Sequence, residues 1–334
     1  MTQQQAPAAV TSVEVFAAAR RLAGHASVTP LLRNPTLDER VGATVLVKAE
    51  NLQIGGAFKF RGAYNRLSQL DAEARRRGVV AWSSGNHAQG VAAAAQRLGI
   101  HAAIVIPADA PTIKIDNTRR LGAEIILYDR RTQDREEIGR DLAKERGATV
   151  VPAYDDPHII AGQGTTALEI ATQARSLMNC DLDVLLVPCG GGGLISGCSL
   201  AMAAVSPATR LFSVEPAHFD DTARSLQSGH RETNSGDART ICDALMSPTP
   251  GALTWPINRE RLSGGLSVSD DMVLDAMAFA WRELKLVVEP GGAVALAALL
   301  FGGADHRGKV VGVVLSGGNV DPELYREALS RQTT

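Results

Sequence analysis

Two hydrophobic periods alternate along this 334-residue chain. Short apolar runs at 79–82, 102–106, 124–127 and 149–151 have strand composition. Between them lie a small-residue helical pattern at 87–98, a second at 111–121 and a charged one at 132–146. Strands alternating with helices predict βαβ units, a parallel sheet with helices on both faces. The second half repeats this grammar. Val184-Leu185-Leu186-Val187-Pro188 reads as a strand feeding a glycine run, followed by a helix at 195–205 and a strand at 211–214. Residues 270–284 and 292–301 read as helices, and 310–315 as an apolar strand. Nearer the start, 13–22 reads as a helix and Thr29-Pro30-Leu31 as an extended turn, because the residue before proline disfavours the helical region. A strand is predicted at 43–48. Phe58, Gly62, Ala63, Leu67 and Leu70 then recur at helical steps. Residues 1–12 read as frayed, and 217–267 carry turn formers without a clear period. Pro152 and Pro157 put the boundary between two sheets at 152–158.

Composition narrows the class. Apolar residues at 45 % and charged residues at 21 % exclude a disordered chain. No apolar run approaches the ~18 residues of a membrane helix. Met1-Thr2-Gln3-Gln4-Gln5 shows no basic region leading an apolar core, so no secretory signal is expected. A net charge of −2 and 4 % aromatic residues give no general attraction for nucleic acid or an anionic membrane, and few stacking platforms for bases. The expectation is a cytoplasmic protein of about two domains, with a cleft for a small molecule. Cys180, Cys189, Cys198 and Cys242 form no Cys-x-x-Cys pair and read as buried free thiols.

Four segments carry chemistry. Gly190-Gly191-Gly192-Gly193 follows a strand and precedes a helix. Backbone N–H groups there, without Cβ atoms in the way, suit a phosphate; a plain βα turn is the other reading. No Gly-Lys-Ser/Thr follows, and the context is wrong for a dinucleotide fingerprint. Lys59 sits between Phe58 and Phe60 at a helix start, behind Gly55 and Gly56. Apolar neighbours and a helix N-terminus lower an amine's pKa and make a nucleophile; a solvated lysine beside Arg61 is the alternative. Ser83-Ser84-Gly85-Asn86-His87 opens a helix directly after a strand, as a neutral carboxylate receptor or as a simple N-cap. Ser316-Gly317-Gly318-Asn319 ends the last strand, where open α/β sheets bind ligands.

In order and spacing these segments resemble the fold type II pyridoxal-phosphate (PLP) enzymes, within them the serine/threonine dehydratase (threonine ammonia-lyase) and serine racemase group. The resemblance runs from about Thr29 to Asp321. It includes Glu50-Asn51-Leu52-Gln53, Ala161-Gly162-Gln163-Gly164-Thr165, Thr254-Trp255-Pro256-Ile257 and Glu289-Pro290. It implies a tryptophan synthase β-like α/β fold, with two three-layer αβα domains and twisted, mainly parallel sheets. A small mobile domain, 78–155, would be inserted in a large PLP-binding domain, 1–77 plus 156–334, and the assembly would be a homodimer or homotetramer. Lys59 would be joined to the cofactor and act as the base at Cα. Phe58 would lie against the ring, Asn86 bond the ring hydroxyl and Ser316 face the pyridine nitrogen. Gly190, Gly191, Gly192, Gly193 and Leu194 would hold the phosphate. Ser83, Ser84, Gly85, Asn86, His87 and Arg135 would receive the substrate, and Ser84 matches the second acid/base of racemases. Glu215, Asp221 and the Phe219 carbonyl have the spacing of a Mg²⁺ or Ca²⁺ site.

A serine opposite the pyridine nitrogen leaves it largely unprotonated, which favours β-elimination over transamination. The expected reaction is loss of water from a 3-hydroxy amino acid, L-threonine or L-serine, giving a 2-oxo acid and ammonia. This sequence departs from the family at Gly55-Gly56-Ala57, where Thr-Gly-Ser is usual, at Ala244-Leu245-Met246, and at Tyr154, where racemases carry an amide. Those departures keep 3-hydroxyaspartate, a hydroxyectoine-derived 3-hydroxy amino acid, and serine or aspartate racemisation open. Nothing remains after the last helix for the regulatory module of biosynthetic threonine dehydratases, so a catabolic unit without that control is expected.

Overall fold

The computed structural model describes residues 10–110 and 112–331. Among the described residues ten strands form two sheets. The larger runs in the order β1 (Leu31–Arg33), β2 (Thr44–Ala49), β10 (Val310–Leu315), β7 (Val184–Pro188), β8 (Arg210–Pro216), β9 (Gly264–Val268). Only β1 is antiparallel to its neighbour. The smaller runs β5 (Glu124–Tyr128), β4 (Ala102–Pro107), β3 (Val79–Trp82), β6 (Thr149–Val150), all parallel.

The helices ahead of the smaller sheet are α1 (Ser12–Leu22), α2 (Pro35–Val41), α3 (Lys59–Ser68) and α4 (Ala72–Arg77). Within it come α5 (Asn86–Leu98), α6 (Thr112–Arg120) and α7 (Arg135–Arg146). Then follow α8 (Pro157–Met178), α9 (Gly193–Val205), α10 (Asp221–Ser228), α11 (Thr254–Arg261), α12 (Asp270–Phe279), α13 (Pro290–Phe301) and α14 (Pro322–Ser330). Among the described residues no helix is long and apolar enough to cross a membrane.

Side-chain alternation explains the layering. Val45, Val47 and Ala49 of β2, Leu186 of β7 and Val313 of β10 pack with α12 and α13. Leu46, Leu185, Val187 and Val314, one residue out of step, pack with α1, α8 and α9 on the other face. A sheet covered on both faces needs strands that are largely apolar on both sides, as β7 and β10 are; β2 departs from this at the buried Lys48. The smaller sheet is built likewise: Val79, Ala81 and Ile104 face α5, while Val80 and Ala103 meet Ala143 of α7. Phe60, Ala63 and Leu67 of α3 belong to the same cluster as α5, together with Ile159 at the start of α8. The helix that opens with Lys59 therefore lies at the seam between the two αβα units.

Several expectations shift. Val10 is buried and Thr11 forms a capping box with Glu14, so order reaches further forward than a frayed 1–12 implies; residues 1–9 lie outside the described residues. The 29–31 turn leads into an edge strand. The expected 132–146 helix starts at Arg135, because Asp134 caps it by accepting the N–H groups of Glu136 and Glu137. Pro157, which with Pro152 reads as the boundary between the sheets, is the first residue of the 22-residue α8, and Asp156 is its N-cap. The aperiodic stretch 217–267 contains α10, β9 and α11. The predicted 270–284 helix ends as regular α-helix at Phe279 and continues as a π-turn over Ala280–Leu284.

Candidate active site

Three central strands deliver the site at their carboxyl ends, where parallel sheets present loops. β3 leads into Ser83, β7 into Gly190 and β10 into Ser316. All the residues expected to contact cofactor or substrate line one cleft between the two sheets: Phe58, Lys59, Ser83, Ser84, Gly85, Asn86, His87, Arg135, Gly190, Gly191, Gly192, Gly193, Leu194 and Ser316. Trp82, Gln89, Lys114, Arg130, Tyr154, Gln163, Asp243, Met246, Glu289 and Asn319 share it.

Several of the helices that start at the cleft have no side-chain N-cap, a feature they share with α11 outside it. α1, α2, α4, α7, α8, α12 and α14 each have a side-chain N-cap. α3, α5, α9 and α13 have none. Each helix start carries N–H groups that the helix cannot satisfy, and partial positive charge with them. At α9 and α5 these groups open on the cleft, a donor set suited to a phosphate and a carboxylate. The glycine run is shaped for that purpose. A Cβ on Gly191 would overlap the Tyr154 ring, so only glycine lets the loop pass beneath it. The Gly191 carbonyl accepts from Thr254 Oγ1 at 2.7 Å and from the Gly251 N–H at 3.2 Å, which pins the loop. The cradle thus fits a phosphate-bearing cofactor.

Lys59 is the first residue of α3. Its Nζ donates to the Ala153 carbonyl at 2.8 Å and lies 5.2 Å from the Phe58 ring centroid. Burial lowers its pKa to about 8, with the Glu289 carboxylate pulling the other way. Backbone bonds tie this segment to the end of β10. The Phe58 N–H donates to the Ser316 carbonyl at 3.1 Å, and the Gly318 N–H to the Gly56 carbonyl at 2.9 Å. Behind α3, Arg61 is fully buried. It makes a two-pronged bond to Glu50 (2.8 and 2.7 Å) and another to Glu169 (2.6 and 2.8 Å). Arg61 is thus the anchor of the lysine helix rather than a solvated neighbour.

His87 donates Nε2–H to the Val151 carbonyl at 2.8 Å; a carbonyl only accepts, which fixes the tautomer. Burial and the nearby Lys59 charge push its pKa down to about 3, so it stays neutral. His87 can still offer a carboxylate its backbone N–H in the first turn of α5. Asn86 donates to Glu289 and accepts from Asn319 Nδ2 at 2.8 Å.

At the mouth stand three cations. Lys114 of α6 pairs with Asp243 at 2.5 Å, across the gap between the two αβα units. Arg130 pairs with Asp109 at 2.8 Å. Arg135 is exposed, and no carboxylate among the described residues pairs with it. Sequence alone singles out Arg135 only by resemblance, and Lys114, Arg130 and Arg61 carry no local signal that separates them from surface charges.

Glu215, Phe219 and Asp221 lie outside this cleft. Glu215 Oε1 and Oε2 accept the N–H groups of Thr222 and Ala223 at 2.9 and 2.8 Å, so it caps α10 from below. Asp221 accepts from Asn234 at 2.6 Å through Oδ1, while its buried Oδ2 has no partner. Burial, reinforced by Asp221, pushes Glu215 well above the usual carboxylate range; burial lifts Asp221 to about 6. Among the described residues no group of three or more His, Cys, Asp or Glu is placed to hold a metal.

Two layered units, a glycine cradle and a lysine at a helix start, facing each other across a cleft, define a fold type II PLP enzyme. The family profile described as "Pyridoxal-phosphate dependent enzyme" matches residues 22–317; the chain belongs to this family, as a PLP-dependent carbon–oxygen lyase of the ammonia-lyase class. It is 46 % identical over 319 residues to an L-threo-3-hydroxyaspartate ammonia-lyase of Pseudomonas sp, covering 95 % of this chain and 97 % of that one. It is 43 % identical to the Saccharomyces cerevisiae enzyme of the same description, over 95 % of each chain. Among solved structures, maize serine racemase superposes with a TM-score of 0.89 at 37 % identity, over 96 % of this chain and 97 % of that one.

Proposed function

We propose that this chain is a 3-hydroxyaspartate ammonia-lyase, removing water from the substrate to leave an enamine, which takes up water on release to give a four-carbon 2-oxo diacid and ammonia. The carrying observation is Arg135, a guanidinium without a carboxylate partner in the cleft that also holds the Ser83–His87 receptor. A threonine or serine side chain gives that charge no counter-charge, whereas a second carboxylate does. Lys114 and Arg130 add positive potential at the same mouth. The two relatives described as 3-hydroxyaspartate ammonia-lyases support the same choice over threonine or serine.

Bound PLP supplies the electron sink for the bond electrons released at Cα. The N–H groups from Gly190 to Leu194 would hold its phosphate. Phe58 would lie against its ring, Asn86 would donate to its ring oxygen, and Ser316 would serve the pyridine nitrogen as a neutral partner. The first-turn N–H groups of α5, with Ser83, hold the α-carboxylate, and Arg135 the second one. Lys59 Nζ, held near pKa 8 by burial, takes the Cα proton and returns a proton to the departing β-hydroxyl. Ser84 Oγ holds the carboxylate from the far side. We take residues 78–155 as the unit that closes over the substrate and excludes water, with 1–77 plus 156–334 as the base.

We also propose a Mg²⁺ or Ca²⁺ ion at Glu215, Asp221 and the Phe219 carbonyl, supported by the unpartnered Asp221 Oδ2 and the facing buried carboxylates. Calcium should raise the melting temperature of the wild type and leave Asp221→Asn unmoved; equal responses refute the site. A second copy of the chain is the proposed partner. Val28, Leu52 and Val287 are exposed apolar side chains on segments tied by Ser27–Gln53 and Asn51–Val287 bonds. Sedimentation giving a monomer would refute it.

The substrate is tested by assaying the purified protein against 3-hydroxyaspartate isomers, L-threonine and L-serine. Release of 2-oxo acid and ammonia is measured, with chiral analysis of what remains. The highest kcat/KM is expected for a 3-hydroxyaspartate isomer. A preference for threonine or serine, or inversion without keto acid, refutes the reading.

A further inference from the structure

We propose that Glu289 is a positioning residue, which fixes the Asn86 amide so that it faces the cofactor as a hydrogen-bond donor. The inference rests on the assignment of Asn86 to the cofactor's ring oxygen made above. Glu289 is the N-cap of α13, where an acidic side chain ordinarily accepts first-turn N–H groups. It does not do so here. Its Oε1 accepts instead from Asn86 Nδ2. Asn86 Oδ1 accepts from Asn319 Nδ2 at 2.8 Å, and Asn319 Nδ2 also donates to the Gly55 carbonyl at 2.8 Å.

The string therefore ends at each side in a group that accepts, the Gly55 carbonyl and the Glu289 carboxylate. Both N–H bonds of Asn319 are spent, so Asn86 must present its oxygen to Asn319 and its nitrogen to Glu289. Turning the Asn86 amide over would face oxygen with oxygen at one end and N–H with N–H at the other. One Asn86 N–H remains, on a side chain that lines the cleft. Asn86 can then donate to a ring oxygen but cannot rotate into an acceptor.

Two further features agree. Gly317 has no Cβ, and one there would overlap Glu289 Oε1, so the β10 loop leaves room for the carboxylate. Asn86 opens α5 on the smaller sheet, while Glu289 and Asn319 belong to the larger unit. The same bonds hold the Ser83–His87 segment against the larger unit. Lys59, Asp243 and Lys114 are the charged groups acting around this carboxyl, which burial, and then Asp243, push up to about 7.

The test is cofactor affinity of the full-length apoprotein, titrated with PLP by fluorescence, in a double-mutant cycle. Glu289→Ala should weaken binding about fivefold, the worth of one hydrogen bond. Glu289→Gln, whose amide oxygen still accepts, should stay within about twofold. In an Asn86→Ala background Glu289→Ala should add nothing. Equal factors in both backgrounds, or no effect in the wild type, overturn the proposal. If Asn86→Ala alone leaves affinity unchanged, the assignment of Asn86 to the cofactor fails, and the proposal with it. Should Glu289→Ala not fold, Asn319→Asp makes the same test. A carboxylate cannot donate to Asn86 Oδ1, so affinity should fall only where Asn86 is present; a fall in both backgrounds overturns the proposal.

Discussion

Replacing Arg61 by methionine tests whether the buried ion cluster behind α3 holds the lysine helix in place. Lys48 and Arg61 face Glu50 and Glu169, two charges of each sign. Lys48, Glu50 and Arg61 are at most 1 % exposed. In Arg61→Met, Glu50 keeps one hydrogen bond, from Thr29 Oγ1 at 2.5 Å, and the more distant Lys48 charge, while Glu169 keeps Lys48 at 2.6 Å. Removing one partner of a buried pair costs about 3–5 kcal/mol, because the stranded charge stays desolvated. An unfolding entropy of ~2.1 cal/mol/K per residue over 334 residues gives about 0.7 kcal/mol/K. The melting temperature should therefore fall by about 4–7 °C in scanning calorimetry. Glu50→Gln added to Arg61→Met should recover part of that loss by removing the stranded charge. The pH dependence has a definite sign. Burial pushes the Glu50 pKa up, but Arg61 outweighs it and holds the carboxyl below its ordinary value. That stability is present above the unfolded pKa and lost as pH falls through the folded one. Without Arg61, burial should raise the Glu50 pKa, so the variant's deficit should shrink from pH 8 towards pH 5. A drop below about 1 °C, or a double variant losing the sum of both single losses, refutes the reasoning.

Arg135→Met should lower kcat/KM for 3-hydroxyaspartate by roughly 10- to 150-fold, the worth of a charged hydrogen bond, and leave L-threonine turnover within about twofold; equal losses on both substrates would sink the second-carboxylate role. In the apoprotein, acylation of Lys59 followed by mass spectrometry should reach half its maximal rate near pH 8. The reason is that burial favours the neutral amine; a midpoint near that of an exposed lysine contradicts it. Gly191→Ala should weaken PLP binding at least about tenfold, since the added methyl meets the Tyr154 ring. Tyr154→Ala in the same chain should restore part of the affinity, and no recovery would show that the ring is not the obstacle.

Most of the fold and much of the cleft were legible locally. Apolar runs such as Val184 to Val187 and Val310 to Leu315 are long enough to state a strand buried on both faces. Glycine-rich segments directly after such strands mark the carboxyl ends where a parallel sheet places its ligands. Less legible was 217–267, where α10 and α11 carry turn formers and β9 is an edge strand containing two glycines, so no period stands out. Pro157 read as a boundary is also a helix start, and α8 beyond it is buried on most sides, which erases its amphipathic stripe.

The sequence by itself determined the α/β layering, the glycine run after β7 and a lysine at a helix start, because each is written in consecutive residues whose backbone conformation is local. Tertiary structure alone decided which charges matter. Asn86 meets Glu289 across 203 residues, Lys114 meets Asp243 across 129, and Arg61 meets Glu169 across 108. It also decided the proton affinities: Lys59 is lowered, Glu289 raised and His87 kept neutral, chiefly by burial. The cost of a charge depends on how much water it loses and what faces it, and neither is a property of neighbours in the chain.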